Sequence, residues 1–355
     1  MPYIKGIKLE RFRGIKEGAV DGLEDLTILV GKNGAGKSTI LEALYLASAW
    51  LEPRDPVRGA SKYDYIVERR GGRGSWNTSR DVIWYSMDTQ KDITITLDLG
   101  KTRAEYILHH PTGKLWLRID NVRKTLATYL SKAEIRKCSL LRLEENQALF
   151  SSYPPPSSLV SAPKEDTLKL IQKNMPNLIE TLSSTLLIDQ QLLSRPDTVE
   201  NYSWTKILAK RLDREVVKVL KEEFEPDAEG LTYAPVGGSN VLMLQLHNTS
   251  VRIDDIGDGA KTATLTTMAI LADKPKLLLI EEPETKIHPQ SLEALTKAIL
   301  KTAKKHGTQI IATTHSPQFT DTAIEQAKNL GIPTSIIQLQ RSPDGTLTAK
   351  KQKPH

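Results

Sequence analysis

A glycine-rich run near the amino terminus carries the residue types needed to hold a polyphosphate. Its nine residues are Gly31, Lys32, Asn33, Gly34, Ala35, Gly36, Lys37, Ser38 and Thr39. They match the pattern G-x-x-x-x-G-K-[ST] at every specified position, in which glycines let successive backbone amides point inward at phosphate oxygens. Lys37 would reach the β- and γ-phosphates, and the Ser38 hydroxyl would bind Mg²⁺. We therefore predict a site for ATP and Mg²⁺, the alternative being an ordinary glycine-rich turn.

A second segment with reactive side chains lies at residues 276–284, where an apolar run ends in carboxylates. Nucleotide-binding sheets place such strand ends opposite the phosphate loop. Glu281 would hold Mg²⁺, directly or through water. Glu282, which points the other way, would polarise a water for in-line attack on the γ-phosphate. Without the phosphate loop, the same residues would be interpreted as a solvated acidic turn.

Two further segments complete the candidate site. The apolar run at residues 310–314 leads into His315, which would hydrogen-bond the γ-phosphate or the attacking water, although a structural histidine is the alternative. Gly257, Gly259 and Lys261 lie where a helix is predicted to begin, and free amides at a helix amino terminus can receive an anion. Because one phosphate site already exists, we interpret this second one as serving another subunit's nucleotide, unless it is an ordinary capped turn.

The elements that must position these residues can be predicted from apolar periodicity. Residues 26–30, just before the phosphate loop, form a short β-rich run, and residues 39–50 place apolar side chains on one helical face. Strand, glycine loop and helix are the order that the motif requires. Strand and helix patterns also alternate after residue 241, which predicts an α/β architecture around a mostly parallel sheet.

The chain is predicted to have three parts. Residues 1–125 would form a lobe with the phosphate loop and an antiparallel sheet, and residues 126–235 a mainly helical insertion. Residues 236–355 would carry the glycine turn, the acidic strand and the histidine.

Local patterns refine this division. Residues 82–85 are predicted as one of several antiparallel strands, and residues 204–224 as a helix. The serine- and proline-rich stretch 151–158 is interpreted as a stiff connector at a domain boundary. Residues 69–76 form a basic, glycine-rich segment that could grip a phosphate backbone or be a mobile solvated loop.

Composition limits the classes of protein. The 355 residues, of which 39% are hydrophobic, suffice for one large domain or two smaller ones. A net charge of +6 is compatible with duplex DNA as a partner. Cys138 is the only cysteine, which excludes an internal disulfide and a thiolate metal cluster. Since the sequence has neither a long apolar run nor a signal-peptide pattern, we expect a cytoplasmic protein without a membrane partner.

Taken together, these motifs resemble those of the ABC-type ATPases of the RecF, SMC and OLD group. The order is similar: a hairpin with residues 9–14 (LERFRG), the phosphate loop, a long insertion, a glycine signature, the acidic strand and a strand ending in histidine. The Glu-Glu-Pro-Glu form followed by His288-Pro289, the Gly-Asp-Gly-x-Lys signature and Thr-Thr-His-Ser-Pro look most like OLD-type AAA-family ATPases. The resemblance covers roughly residues 1–50 and 235–320.

The resemblance implies a P-loop NTPase fold of the ABC-ATPase type and a division of roles. Residues 31–39 would bind ATP, Ser38 and Glu281 would bind Mg²⁺, Glu282 would be the catalytic base and His315 the switch histidine. Gly257, Gly259 and Lys261 would act in trans on the ATP of a partner subunit. The implied assembly is a homodimer closed by two ATP molecules and released by hydrolysis.

Departures from the family pattern leave alternatives open. OLD nucleases continue into a toprim nuclease domain, and the forty residues after His315 are too few for one. The glutamine that usually follows the first sheet is not assignable, with Gln90 and Gln147 as candidates. The first hypothesis is an ATPase coupled to DNA repair, DNA maintenance or phage defence. The second is an ATP-gated regulatory module that controls a separately encoded effector such as a nuclease or toxin, and a transporter subunit is a weak third because its serine-glycine-glycine signature is missing.

Overall fold

Short apolar runs bounded by turn residues form strands along most of the chain. The computed structural model describes residues 3–130 and 133–352, so the predicted domain limits 1 and 355 lie outside the described residues. The strands are β1 (Gly6–Phe12), β2 (Ile15–Asp21), β3 (Leu26–Val30), β4 (Ile93–Asp98), β5 (Arg103–His109), β6 (Lys114–Arg118), β7 (Leu140–Leu143), β8 (Gln147–Ser152), β9 (Ser157–Pro163), β10 (Thr185–Ile188), β11 (Ala228–Val236), β12 (Ser239–Leu246), β13 (Ser250–Arg252), β14 (Leu277–Glu281), β15 (Gln309–Thr313), β16 (Thr334–Arg341) and β17 (Thr346–Gln352).

Helices connect most of the parallel strands. They are α1 (Lys37–Ser48), α2 (Lys62–Glu68), α3 (Trp76–Ser79), α4 (Arg123–Leu130), α5 (Lys164–Asn174), α6 (Pro176–Leu182), α7 (Gln190–Leu193), α8 (Pro196–Ala209), α9 (Asp213–Glu223), α10 (Asp258–Asp273), α11 (Pro289–His306) and α12 (Pro317–Leu330). Within the described residues, no helix combines the length and the apolar composition needed to cross a membrane.

One mixed sheet organises the molecule. Its strand order, over the residues that the structure describes, is β10-β14-β15-β3-β16-β17-β2-β1-β4-β5-β6-β7-β8-β9. The strands from β10 to β16 run parallel to one another, whereas β1 and β4 to β9 pair antiparallel. The predicted α/β architecture, with a mixed sheet and an antiparallel part, is confirmed.

Strand β14 shows why the parallel strands are apolar at nearly every position. Leu277 and Leu279 pack in the core that contains α1, whereas Leu278 and Ile280 pack in the core that contains α10, α11 and α12. Successive side chains of a strand point to opposite faces, so a strand covered by helices on both faces needs apolar residues throughout. The packing of helices on both faces holds each strand in position, and with it the polar residues at the end of the strand.

The predicted connector at residues 151–158 is wrong, because this stretch is the turn of a hairpin. Strands β8 and β9 pair antiparallel on either side of it. The Ser157 amide donates to Ser151 Oγ (2.8 Å), and the Ser151 hydroxyl is 2.9 Å from the Ser157 carbonyl oxygen. The prolines therefore occupy a turn, where they are compatible with a sheet edge, and do not separate two domains.

The stretch at 126–235, predicted to be mainly helical, contains strands as well as the helices α5 to α9. Strands β7, β8 and β9 extend the antiparallel sheet, and β10 joins its parallel part. The single helix predicted over 204–224 is also wrong: α8 ends at Ala209 and α9 begins at Asp213. Arg211 has a φ of 54°, a left-handed conformation that an α-helix cannot contain, and it separates the two helices.

Residues 82–85 form helical turns and no strand. Two 3₁₀ segments, Arg80–Ile83 and Tyr85–Met87, replace the predicted strand. Ile83 and Trp84 are both buried, which a turn achieves for adjacent residues and an alternating strand does not. The Trp84 indole N–H donates to the Lys91 carbonyl oxygen at 2.9 Å and fixes the ring inside the fold.

Candidate functional site

The phosphate loop joins β3 to α1, as its sequence predicts. Gly31, Gly34 and Gly36 have φ angles of 147°, 76° and 100°. Residues with a side chain rarely adopt such angles, which accounts for glycine at these three places. Gly36 is the residue before the first turn of α1, so the amides of the loop and of the helix start lie next to each other. This arrangement is suited to binding a chain of phosphates.

Lys37 lies at the start of α1 and is 5% exposed. Its ammonium donates to the Gly31 carbonyl oxygen at 2.8 Å and lies 2.7 Å from His315 Nε2. Burial lowers the pKa of the Lys37 ammonium, and nearby carboxylates, of which Glu282 has the largest effect, act in the opposite direction. A partly dehydrated cation at the end of a phosphate loop can bind anionic oxygens strongly, since little water has to be displaced.

The two predicted carboxylates follow one another at the end of β14. Glu281 is the last residue of the strand and pairs in register with Thr313 of β15. Glu282 has a φ of 46°, which is strained for a residue with a side chain, and its amide donates to the Thr313 carbonyl oxygen at 3.0 Å. The left-handed turn directs the two carboxylates differently, although they are neighbours in the chain.

His315 emerges directly after β15, at the same edge of the sheet. Its Nε2 atom lies 3.2 Å from Glu282 Oε1, as well as close to Lys37. The following residue, Ser316, caps α12 by accepting from the Phe319 amide at 3.1 Å, which fixes the chain on the far side of the histidine. The structure thus brings together Lys37, Glu282 and His315, which are far apart in the sequence.

The donor set at this edge fits Mg²⁺. Ser38 and Glu281 supply hard oxygen ligands, and Thr313 Oγ1 is a buried oxygen without a hydrogen-bond partner in the described structure. No cluster of three or more His, Cys, Asp or Glu side chains in residues 3–130 and 133–352 could hold a metal alone. Mg²⁺ commonly takes one or two protein oxygens and completes its shell with substrate phosphates and water. A phosphate-dependent site of this kind fits the residues present.

The glycine turn lies elsewhere on the surface. Gly257 and Asp258 are exposed, and Gly257 has a φ of 90°. Gly259 is buried and packs closely against α11. A Cβ at this position would stand only 2.5 Å from the Cβ of Ser291. Lys261 forms an ion pair with Asp254 at 2.5 Å. Within the described residues, no hydrogen bond or ion pair links these residues to the phosphate loop of the same chain.

A cluster of arginines around Glu42 was not foreseen from the sequence. Glu42 of α1 is completely buried and binds Arg13 (3.0 Å), Arg69 (3.1 Å) and Arg70 (2.6 Å). The signal in the sequence is a single carboxylate within the apolar run of residues 40–47, because an unpaired buried charge is very costly and predicts a cationic partner. Arg70 also donates to Thr39 Oγ1, the last residue of the phosphate loop, at 3.3 Å.

Arg69 connects this cluster to the predicted metal site. Its side chain is 6% exposed, it contacts Glu281, and it lies 3.4 Å from Asp189 at the end of β10. The interpretation of residues 69–76 as a mobile solvated loop is therefore wrong for Arg69, which is fixed by three carboxylates. Mg²⁺ that binds at Glu281 must share this carboxylate with Arg69 or displace it.

Neither candidate glutamine lies at the site. Gln90 is exposed in the turn before β4, and Gln147 is the exposed first residue of β8, which neighbours the outermost antiparallel strand. Among the described hydrogen bonds, none joins either glutamine to the phosphate loop, Glu281, Glu282 or His315, so the glutamine of the family pattern stays unassigned.

Two relatives resemble the chain over most of its length, and a third resembles a short part of it. A Helicobacter pylori (strain ATCC 700392 / 26695) protein named ATP/GTP phosphatase is 24% identical over 331 residues, which cover 89% of this chain and 86% of the relative. The OLD nuclease of Thermus scotoductus (strain ATCC 700910 / SA-01) is 26% identical over 340 residues, or 90% of this chain and 60% of the nuclease. A RecF DNA replication and repair protein of Trichlorobacter lovleyi (strain ATCC BAA-1151 / DSM 17278 / SZ) is 38% identical over 64 residues, 18% of this chain and 16% of RecF.

A solved structure is similar in fold. The SMC head in complex with the C-winged helix domain of ScpA superimposes with a TM-score of 0.51 at 12% identity and covers 99% of this chain and 98% of that one. The fold, the motifs and these relatives define an ABC-type ATPase of the RecF, SMC and OLD group. Two family models match, "AAA domain" over residues 7–225 and "AAA domain, putative AbiEii toxin, Type IV TA system" over residues 130–321. The chain therefore belongs to the AAA-domain family.

Proposed function

We propose that this protein is a Mg²⁺-dependent ATPase that dimerises around ATP and couples hydrolysis to a DNA-directed process. The observation that carries the proposal is the chain of contacts from Lys37 through His315 to Glu282, at the edge of the sheet where Glu281 ends β14. These groups can bind a triphosphate, its metal and the attacking water within one small space.

Glu282 is the proposed catalytic base. Its carboxylate accepts a proton from a water molecule, whose oxygen attacks the γ-phosphorus in line. The bond between that phosphorus and the β,γ-bridging oxygen breaks, and ADP leaves with the bond's electron pair. His315, 3.2 Å from Glu282 Oε1, is proposed to orient this carboxylate and to contact the γ-phosphate. Mg²⁺, held by Ser38 and Glu281, would supply positive charge to the β- and γ-phosphate oxygens.

The glycine turn is proposed to complete the site of a second copy. Gly257 is exposed, and its amide region lies at the amino terminus of α10, where an anion is favoured. Gly259 and Lys261 are proposed to shape this turn, through packing on Ser291 and pairing with Asp254. Two copies arranged head to head would then enclose two ATP molecules.

The Glu282→Gln variant tests the assigned base. We expect it to bind ATP with unchanged affinity but to lose at least about 100-fold in turnover, since general-base catalysis contributes about 10²–10⁴-fold. Lys37→Ala should lose ATP binding, and Glu325→Gln, the same change at an exposed position on α12, should behave like the unchanged protein. ATP affinity is measured by calorimetry and turnover by phosphate release. Normal turnover of Glu282→Gln would show that another group takes the proton.

The DNA connection rests on the relatives and on the charge of the chain. RecF is named a DNA replication and repair protein, OLD is named a nuclease, and the chain has a net charge of +6. The steady-state ATPase rate with and without linear duplex DNA, at low salt where electrostatic binding is strongest, tests it. A faster rate with DNA supports a DNA-coupled ATPase. An unchanged rate favours an ATP-gated regulatory module that awaits a separately encoded effector.

A further inference from the structure

A cleft of about 500 Å³ lies beside the tip of the phosphate loop. Residues 32–35 of the loop form one wall, and residues 338–343, at the end of β16 and in the turn after it, form the other. Strand β16 pairs with β3 on one side, and β15, which leads to His315, pairs with β3 on the other. The cleft and the reactive residues therefore lie on opposite sides of the phosphate loop.

This position matches the nucleoside end of a bound triphosphate. If the γ-phosphate lies near Glu282 and His315, the chain of phosphates crosses the loop and its nucleoside end points away from them. The cleft borders the loop on that side, and its volume is in the range of small-ligand sites. A purine and its ribose have a place there without any rearrangement of the sheet.

Arg341 is one of the residues that line the cleft, opposite residues 32–35 of the phosphate loop. Its Nη1 atom donates to the Gly14 carbonyl oxygen at 3.0 Å, and Nη2 lies 3.7 Å from where a Cβ on Gly34 would stand. The bond to Gly14 holds one edge of the guanidinium in place, and the Arg341 side chain is exposed at the cleft. A Cβ at position 14 would come within 1.9 Å of Nη1, so a side chain at Gly14 would push the guanidinium aside.

The cleft has no aromatic side chain among its described lining residues. The polar groups in its wall include the exposed amides of Gln338 and Gln340. A guanidinium plane can stack on a purine through cation–π and dispersion contacts, and such stacking tolerates any base because every base presents a π-face.

We propose that this cleft holds the nucleoside of the bound triphosphate, with Arg341 stacked on the base, and that ATP and GTP are therefore bound alike. The inference rests on the proposed function, because it places the triphosphate in the loop at residues 31–39. Arg341 is a base-binding residue in this proposal: it provides affinity for the base without selecting adenine over guanine.

Calorimetric titrations of ATP, GTP and inorganic tripolyphosphate test the proposal. The unchanged protein should bind ATP and GTP within about threefold of each other. Arg341→Ala should weaken both about tenfold and leave tripolyphosphate binding unchanged, because only the stacked base is lost. Arg341→Lys, which keeps the charge but not the flat group, should behave like Arg341→Ala. Gly14→Ala, which displaces the guanidinium without removing it, should also weaken both nucleotides.

Matched controls separate this proposal from the function on which it rests. Arg214→Ala makes the same change at an exposed position on α9 and should bind all three ligands normally. If Arg341→Ala weakens tripolyphosphate as much as ATP, Arg341 acts on phosphates and the stacking proposal is wrong. If it changes no affinity while Lys37→Ala abolishes ATP binding, the nucleoside lies elsewhere but the ATP site stands. If Lys37→Ala also binds ATP normally, both the proposed function and this inference fail.

Discussion

The backbone conformation of the phosphate loop restricts which residue types can occupy single positions. Gly31 has a φ of 147°, and a Cβ there would stand 2.5 Å from the Leu339 carbonyl oxygen. Both the conformation and the close approach of β16 therefore exclude a side chain at this position. Glu282, in contrast to Gly31, has a side chain and still adopts a left-handed φ of 46°. Strain of this kind is stored at sites where the direction of one side chain matters for chemistry.

Gly31→Ala is expected to weaken ATP binding about tenfold. The new methyl group must move the loop or β16, and a strain of about 1–3 kcal/mol in the binding conformation reduces affinity accordingly. Gly59→Ala is the matched control, because Gly59 has a φ of 64° with open space around it and lies outside the loop. That control should lose about 1–2 kcal/mol of stability and keep its ATP affinity. Equal ATP affinity in the Gly31→Ala variant would contradict the structure of the loop.

The carboxylate of Asp189, directly after β10, connects this strand to the site through Arg69. Asp189 accepts from the Leu192 amide and so caps α7, and it binds Arg58 at 2.9 Å and Arg69 at 3.4 Å. Burial alone would raise the pKa of Asp189, but Arg58 and Arg69 hold it below its usual value. Since Arg69 also contacts Glu281, the end of β10 helps to fix the residues around the predicted metal ligand.

Asp189→Asn is expected to lower the free energy of unfolding by about 3 kcal/mol at pH 7, because it leaves the buried Arg58 with one charged partner fewer. A carboxylate whose pKa is lowered by folding stabilises the protein above its ordinary pKa of about 4, and this stabilisation disappears as the pH falls through the lowered value. The deficit of the variant should therefore shrink as the pH is lowered below about 4.

Urea unfolding at pH 7 and at pH about 3 measures this difference. Asp166→Asn is the control, because Asp166 forms an exposed pair with Lys169 and should contribute less than about 1 kcal/mol at either pH. A deficit of Asp189→Asn that is equally large at both pH values would mean that the charge of Asp189 is not what stabilises the fold.

At the scale of the whole molecule, the proposed homodimer involves two separate surfaces of each copy. The phosphate loop and its carboxylates lie at one edge of the sheet, and the Gly257 turn is exposed at the start of α10. In the proposed function, this turn binds the nucleotide of a second copy, because no described contact joins it to the phosphate loop of its own chain. The proposed homodimer would form only when ATP supplies the phosphate that both surfaces contact.

Gly257→Arg, made in the Glu282→Gln background, is expected to bind ATP but to stay monomeric with it. A long side chain in the turn would block the partner's nucleotide without touching the phosphate loop of the same chain. Gly331→Arg is the matched control: Gly331 is also exposed, with a positive φ of 63° and open space around it, after α12. Light scattering during size-exclusion chromatography with and without ATP measures the mass. ATP-driven dimers of Gly257→Arg would remove this turn from the proposed interface.

The sequence alone determined the local chemistry and the elements that carry it. The run from Gly31 to Thr39, the strand before it and the helix after it depend on short-range rules of backbone conformation and apolar periodicity. The strands predicted before the carboxylates and before His315 are observed as β14 and β15 for the same reason, because each is a short buried run. The antiparallel strands at residues 93–118 also follow from simple alternation.

Only the tertiary structure decided which distant groups meet. The apolar surroundings of Glu42 in the sequence indicate that it needs a cationic partner but not which residues supply it, and the pattern around Arg69 does not indicate its contact with Glu281. Local pattern predicts a strand at residues 82–85 and a connector at 151–158, whereas the fold has turns at both places, because packing against distant segments outweighs local pattern. Apolar periodicity shows which side of one helix or strand is buried. Ion pairs, clefts and the order of strands depend on contacts between segments hundreds of residues apart in the sequence.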